Sequence, residues 1–447
     1  MNDAAPPTGR RRWLRVAVGV ALVAAALIGW ALIPPSMQPL DDELVRLRAA
    51  GFPTTCAEAL GEMPPDAENG ALDLEAALAA LEDGVGKVGT WKVTGPWDRN
   101  ATAPWPESAT PQQITELGAF LGRARPFFDR VDAGLAKPRF RFRDTLDAAG
   151  LPTQAYVRNL QHVLMVVSAR ALAGATPDER IAGVSSLARL GRRIEPNSMI
   201  PALVGIAATA SAVSGARHAV EDGSVPVADL RRALDPDLLE PRLDILARAA
   251  PAEAAWFAAV YRGTQSGVSS SQIPSRPSWN RRLKRRVERL FGKGSPLEWD
   301  ELRPAEAARV VRVWSEVAAL DASSARGLHA SIDALKARNA PVPADVMIVL
   351  LQVERKLVQS EAKRRLARVA LAAAERRETT GAWPASLDEL RDAFPDGVPL
   401  DPYTDAPFVY DASGAKVRLA SAGALPGAAT PDDATLREQL LLWEVPR

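Results

Sequence analysis

The sequence predicts a mainly α-helical protein: an N-terminal transmembrane helix, an extracytoplasmic multi-helix bundle or helix-pair stack, and a small C-terminal α+β module with a β-hairpin. Three observations predict it. An uncharged apolar run spans Val16 to Ile33; apolar residues recur at helical spacing through most of the following chain; and beyond Trp383 the pattern shortens into turn-bounded strands. The corresponding organisation is a basic cytoplasmic tail over 1–15, a membrane helix over 16–33, a helical domain over 34–361 and a C-terminal module over 362–447.

The apolar run, with Trp13 and Leu14 before it, is long enough at about 1.5 Å per residue to cross a hydrocarbon layer of about 30 Å. Arg10, Arg11, Arg12 and Arg15 precede it on a tail with one acid, Asp3, and cationic flanks stay in the cytoplasm. The N-terminus is therefore expected inside and the bulk of the chain outside, on the outer side of the inner, cytoplasmic membrane. The run exceeds the apolar core of a cleaved signal peptide, so an uncleaved single-pass signal-anchor is expected. Two other apolar stretches, Met199 to Val213 and Val346 to Val353, read as buried helix segments too short for a bilayer.

After the spacer Pro34 to Pro39, a helix is expected from Asp41 to Ala50, stopped by Gly51 and Pro53, and a second begins at the capping box Thr55/Glu58. A third runs from Ala71 to Glu82, with Leu72, Leu74, Leu78 and Leu81 facing a core. The stretch from Gly84 to Ser108 mixes Trp91, Trp97 and Trp105 with glycines and prolines and reads as an irregular loop. Helices then follow over 111–136, opened by the box Thr110/Gln113, and over 153–174, 177–193, 197–221 and 241–262. Their short connections favour antiparallel neighbours. A flexible loop over Thr264 to Ser278 precedes a basic amphipathic helix from Trp279 to Phe291, then helices over Pro304 to Ala337 and Ala344 to Glu378. In the last, Val346, Leu350, Val353, Leu357, Ala362, Leu366, Val369 and Ala373 form one apolar stripe.

The composition narrows the function. Of 447 residues 47% are apolar, enough to bury a large core, and 55 basic side chains are balanced by 54 acidic ones, so the composition does not suggest a nucleic-acid partner, which would want a basic surface. The single Cys56 rules out an intramolecular disulfide.

At the end of the chain a helix stops near Thr380-Gly381, and Trp383-Pro384-Ala385-Ser386-Leu387-Asp388-Glu389-Leu390 opens a short helix. Pro399-Leu400-Asp401-Pro402-Tyr403 follows, then a strand over Ala406 to Tyr410, a turn over Asp411 to Gly414 and a partner strand over Lys416 to Ala420. This order resembles the C-terminal part of type II secretion pseudopilins, in which a long helix leads to a Gly-x-Tyr-Pro-x-Ser-Leu segment and an Asp-Pro-aromatic turn before a small sheet. The resemblance covers about Leu366 to Leu419, with Trp383 in the tyrosine position. No pilin processing site precedes the membrane run, so the resemblance does not carry assembly into a fibre. Together with Gly51-Phe52-Pro53, Pro64 to Asn69 and Ile200 to Val204, the whole arrangement resembles uncharacterised bacterial proteins with one membrane anchor, a long helical region outside the cytoplasm and a pseudopilin-like ending.

No motif for catalysis, for a cofactor or for a metal emerges. His162, His218 and His329 lie in different expected helices without a second histidine at ligand spacing. Cys56 opens a helix without an evident base, and Asp66, Glu68, Asp73 and Glu75 do not follow the calcium-loop pattern. Asp401 and Asp405 read as turn formers. The surface feature with most chemistry is Arg281, Arg282, Lys284, Arg285, Arg286 and Arg289 of the basic helix, suited to anionic headgroups or an acidic partner. The expectation is a non-enzymatic, membrane-tethered extracytoplasmic interaction or envelope-structural protein with a protein partner in the envelope. The alternatives are an envelope hydrolase and a secretion-apparatus component.

Overall fold

The computed structural model of the chain describes residues 36–85, 110–142, 156–196, 198–238, 242–266, 302–339, 344–423, 431–432, 435–436 and 441–446. The membrane run, the tryptophan-rich loop and the basic helix expected over 279–291 lie outside them. The described chain is mainly helical, with one small three-stranded antiparallel sheet.

Local signals set most helix boundaries. Helix α1 (Gln38–Ala49) stops where Gly51 takes φ +82°, a left-handed conformation cheap only for glycine. In α2 (Cys56–Leu60) the capping box is complete: Thr55 Oγ1 accepts from Glu58 N, and the Glu58 carboxylate accepts from Thr55 N. Helix α3 (Ala71–Val85) buries Leu74, Leu78 and Leu81 as its spacing requires.

The helix expected over 111–136 is two helices, α4 (Pro111–Arg123) and α5 (Arg125–Ala136). Proline at 126 lacks an N–H and fits only a first turn, so it starts a new helix beyond Ala124. Helices α6 (Tyr156–Ala173), α7 (Pro177–Arg193) and α8 (Met199–Glu221) follow the periodicity closely. Helix α9 (Val227–Leu238) has no counterpart among the expected elements, and α10 (Ile245–Ser266) runs one turn past its expected end.

The expected helix over 304–337 also divides, into α11 (Pro304–Val317) and α12 (Ala325–Arg338). Asp321 Oδ1 accepts from Ser323 N, and Ser324 Oγ accepts from Gly327 N to cap α12. Helix α13 (Ala344–Thr380) is 37 residues long, about 55 Å at 1.5 Å per residue.

That rod joins two cores. Its first half, with Leu350, Val353 and Leu357, packs against α10 and α12 and belongs to the core that α1 and α11 complete. Its second half, with Leu366, Val369 and Ala373, packs against α8 and α9 and belongs to the core that α3 to α7 complete. Where α3 meets α5 the backbones touch: a Cβ on Gly134 would lie 2.7 Å from Gly70 O, so only glycine fits.

Helix α8 is 23 residues long with a mean hydropathy of 1.6 over its most apolar window, which by length and composition is enough to cross a membrane. The reading of Met199 to Val213 as too short for a bilayer thus does not hold for the whole helix, whereas its reading as a buried segment does. Its apolar residues are explained by packing, since 56% of that window is buried against neighbouring helices.

The expected hairpin forms from β1 (Val409–Asp411) and β2 (Lys416–Ala420), paired Val409 to Ala420. A third strand absent from the sequence reading, β3 (Leu442–Pro446), pairs with β2 in the register Leu419 to Trp443. The segment from Trp383 is tied to this sheet, because Tyr410 Oη donates to Pro384 O at 2.7 Å and Arg377 stacks over the Trp383 ring. Its short helix is a 3-10 turn (Leu387–Ala393) in which Glu389, rather than the Ser386 hydroxyl, supplies the cap by accepting from Ala385 N.

Candidate functional site

Two surface regions concentrate features beyond core packing. The first is the pole formed by α1, the end of α10 and the start of α11. Glu43 of α1 is 4% exposed, and its carboxylate accepts from Arg46 on its own helix and from Arg312 Nη2 of α11 at 2.7 Å. Burial alone would raise its pKa, but the hydrogen bonds from Arg312 and Arg46 outweigh it and hold the carboxyl below the usual range. Asp41, in the first turn of α1, pairs with Arg262 in the last turns of α10. Tyr261 Oη, buried beside it, donates to Leu302 O at 2.8 Å, just ahead of α11. In sequence, segment 267–301, which carries Arg281, Arg282, Lys284, Arg285, Arg286 and Arg289, is flanked by Arg262, which pairs with Asp41 of α1, and by Leu302, whose carbonyl accepts from Tyr261. Those six residues, and Arg10, Arg11, Arg12 and Arg15, lie outside the described residues.

The second is a groove of about 400 Å³ in the C-terminal module, between the 3-10 turn and the proline-rich segment after it. Phe394, Pro395, Val398, Pro399, Leu400 and Pro407 supply its apolar lining, and the Asp388–Arg391 pair at 2.8 Å forms a polar edge. Leu400 is 41% exposed and lines the groove. Asp401 braces the rim from below. It accepts from Tyr403 N at 3.1 Å, from Ser421 Oγ and from Ala422 N at 2.6 Å, so it ties the groove to the end of β2 as well as forming the expected turn. Asp405 adopts φ +53° and reaches Arg326 of α12 at 2.9 Å.

The remaining polar features belong to the framework. Glu361 and Arg364, both buried on α13, form a bidentate pair with contacts of 2.6 and 3.0 Å, and Arg365 adds a third contact to Glu361 at 2.7 Å. They line a cavity of about 20 Å³ together with Thr209 and Arg242, room for about one water molecule. Arg242 donates to the carbonyls of Arg192 and Ile194 and so closes the C-terminal end of α7.

The single cysteine is buried on α2 against Val260 of α10. Asp73 pairs with Lys137 at 2.7 Å, which accounts for one of the acids in the 66–75 cluster. The three histidines remain on separate helices, but His329 acquires two carboxylate neighbours, Glu354 and Asp333. Asp333 was available to sequence reading as the one-turn pattern His-x-x-x-Asp; Glu354, on another helix, was not.

No protein-family model, curated protein or solved structure matches this chain.

Proposed function

We propose that the chain is a non-enzymatic, membrane-tethered protein whose helical body is held outside the cytoplasm as an interaction or envelope-structural module. One observation carries the reading. The described residues that flank the basic insertion over 267–301 lie at the pole formed by α1, the helix that follows the run over 16–33 in sequence: Arg262 pairs with Asp41 of α1, and Tyr261 Oη donates to Leu302 O. Five residue steps separate Ile33 from Gln38, a reach of at most about 18 Å for an extended chain. A body tethered this closely keeps that pole near the bilayer, where each arginine or lysine gains about 1 kcal/mol from anionic headgroups. The apolar groove in the C-terminal module supports the interaction half of the reading, because an exposed leucine among prolines offers area to a partner with little ordering cost.

The test for the lipid contact uses the body lacking residues 1–33 and vesicles with and without anionic lipid. Sedimentation with anionic vesicles only, lost when Arg281, Arg282, Arg285 and Arg286 are changed to Gln, is the expected result. Equal behaviour of the two proteins removes the lipid contact. For the interaction role, a photo-crosslinker at Leu400 in intact cells should give one discrete adduct with an envelope protein, and a crosslinker at the exposed Val45 should not give the same one.

A further inference from the structure

His329, on the solvent-facing side of α12, carries a carboxylate at each ring nitrogen. Nδ1 lies 2.6 Å from Glu354 Oε1 of α13, and Nε2 lies 3.4 Å from Asp333 Oδ2, one turn along α12. The environments differ sharply: Glu354 is 5% exposed, His329 41% and Asp333 50%. The ring therefore bridges an interior carboxylate and a solvent-facing one. The short contact to Glu354 orients the imidazole with its proton on Nδ1, which turns the Nε2 lone pair of the neutral ring outward beside Asp333. A carboxylate behind the non-ligating nitrogen is the usual support of a metal-bound histidine.

The outer pair has chelate dimensions. At 3.4 Å the Nε2 to Oδ2 separation is longer than a good hydrogen bond of about 2.7–3.2 Å. It matches the edge of a tetrahedron about a zinc-like ion, about 3.3–3.5 Å for bonds of about 2.0–2.2 Å. We propose that His329 Nε2 and Asp333 Oδ2 chelate a divalent transition-metal ion of the zinc class, with Glu354 as the positioning residue behind the imidazole. Among the described residues no group of three or more His, Cys, Asp or Glu side chains forms a ready metal cage, so water fills the other positions and the site is open and labile. Lys336 occupies the other oxygen of Asp333 at 2.7 Å, which leaves Oδ2 available and lowers affinity through its charge. His218 supplies an internal comparison. Its Nε2 is 3.5 Å from Asp222 Oδ2 at the same spacing, but that oxygen already accepts from Arg180 at 2.8 Å.

The experiment is a calorimetric titration of the full chain, in detergent micelles and stripped with chelator, with Zn²⁺ alone and then Ni²⁺ alone. One ion per chain is expected for the wild type. Asp333→Asn, an exposed change that leaves the Glu354 contact intact, should lower affinity at least tenfold, and Glu354→Gln should lower it by roughly 10–100-fold. The double variant His162→Ala/His218→Ala should bind as the wild type does. His329→Ala strands the Glu354 carboxylate and is read only alongside Asp333→Asn, with far-UV circular dichroism recorded for both. Absence of binding by the wild type, unchanged affinity in Asp333→Asn, or loss of binding in the His162/His218 variant overturns the assignment.

Discussion

Lys363 gives the sharpest energetic prediction. It lies on α13 between the two cores, and no carboxylate pairs with it among the described residues. Burial, reinforced by Lys356 two turns away, pushes its ammonium down from the ordinary 10.5 to about 8. The gap of 10.5 − 8 = 2.5 corresponds to about 3 kcal/mol at 1.36 kcal/mol each, and to about 2 kcal/mol once contact of the side chain with solvent is discounted. Below pH 8 both folded and unfolded chains hold the proton and the folded state bears the full cost of the buried charge. Between about 8 and 10.5 the folded state releases the proton while the unfolded chain keeps it, so this group makes stability rise with pH; above 10.5 the cost is gone. Lys363→Met keeps most of the side-chain volume and removes the charge. In urea unfolding of the full chain in mild detergent, followed by tryptophan fluorescence, it should gain about 2 kcal/mol at pH 7 and nothing by pH 10.5. Other lysines and tyrosines titrate in this range, so only the difference between variant and wild type is informative. A difference that stays constant from pH 7 to 10.5, or a variant less stable at pH 7, refutes the reasoning.

Arg312→Ala, which removes one of the two cations on buried Glu43, should cost about 1–3 kcal/mol at pH 7. Because the Glu43 carboxyl is held below 4.5, the loss should shrink as pH falls below that value, checked by urea unfolding at pH 7 and pH 4. Gly134→Ala pushes a methyl to 2.7 Å from Gly70 O and 2.9 Å from Asp73 Cβ, and should cost about 1–3 kcal/mol by the same assay. Asp401→Asn cannot accept all of its present hydrogen bonds, so amide exchange at Tyr403 and Ala422 should quicken while that of the helical cores stays slow.

How much was legible follows from where each signal resides. The capping boxes at Thr55 and Thr110, the stop at Gly51 and the stripe along α13 are encoded within a few residues, and all four form as the sequence implies. The break at Ala124 was also local, since Pro126 announces a first turn, but the unbroken apolar pattern on either side masked it. Helix α9 is short, and its burial depends on packing against α7 and α13. Strand β3 is held by β2 about 25 residues earlier, and nothing within Leu442 to Pro446 names that partner. The same holds for the surfaces. Cys56 is buried in packing and Asp73 pairs with Lys137, whereas the groove and the Glu354–His329 contact arise only when distant segments meet.

The central claim, a helical body tethered on the outer face of the membrane, is tested most directly by protease protection. The full chain is expressed with an epitope at each end, and intact spheroplasts are treated with protease, with and without detergent. The account predicts that the C-terminal epitope is digested from outside without detergent, that the N-terminal epitope stays protected, and that the untreated chain remains in the membrane fraction after carbonate extraction. A protected C-terminal epitope, or a chain released into the soluble fraction, would contradict it.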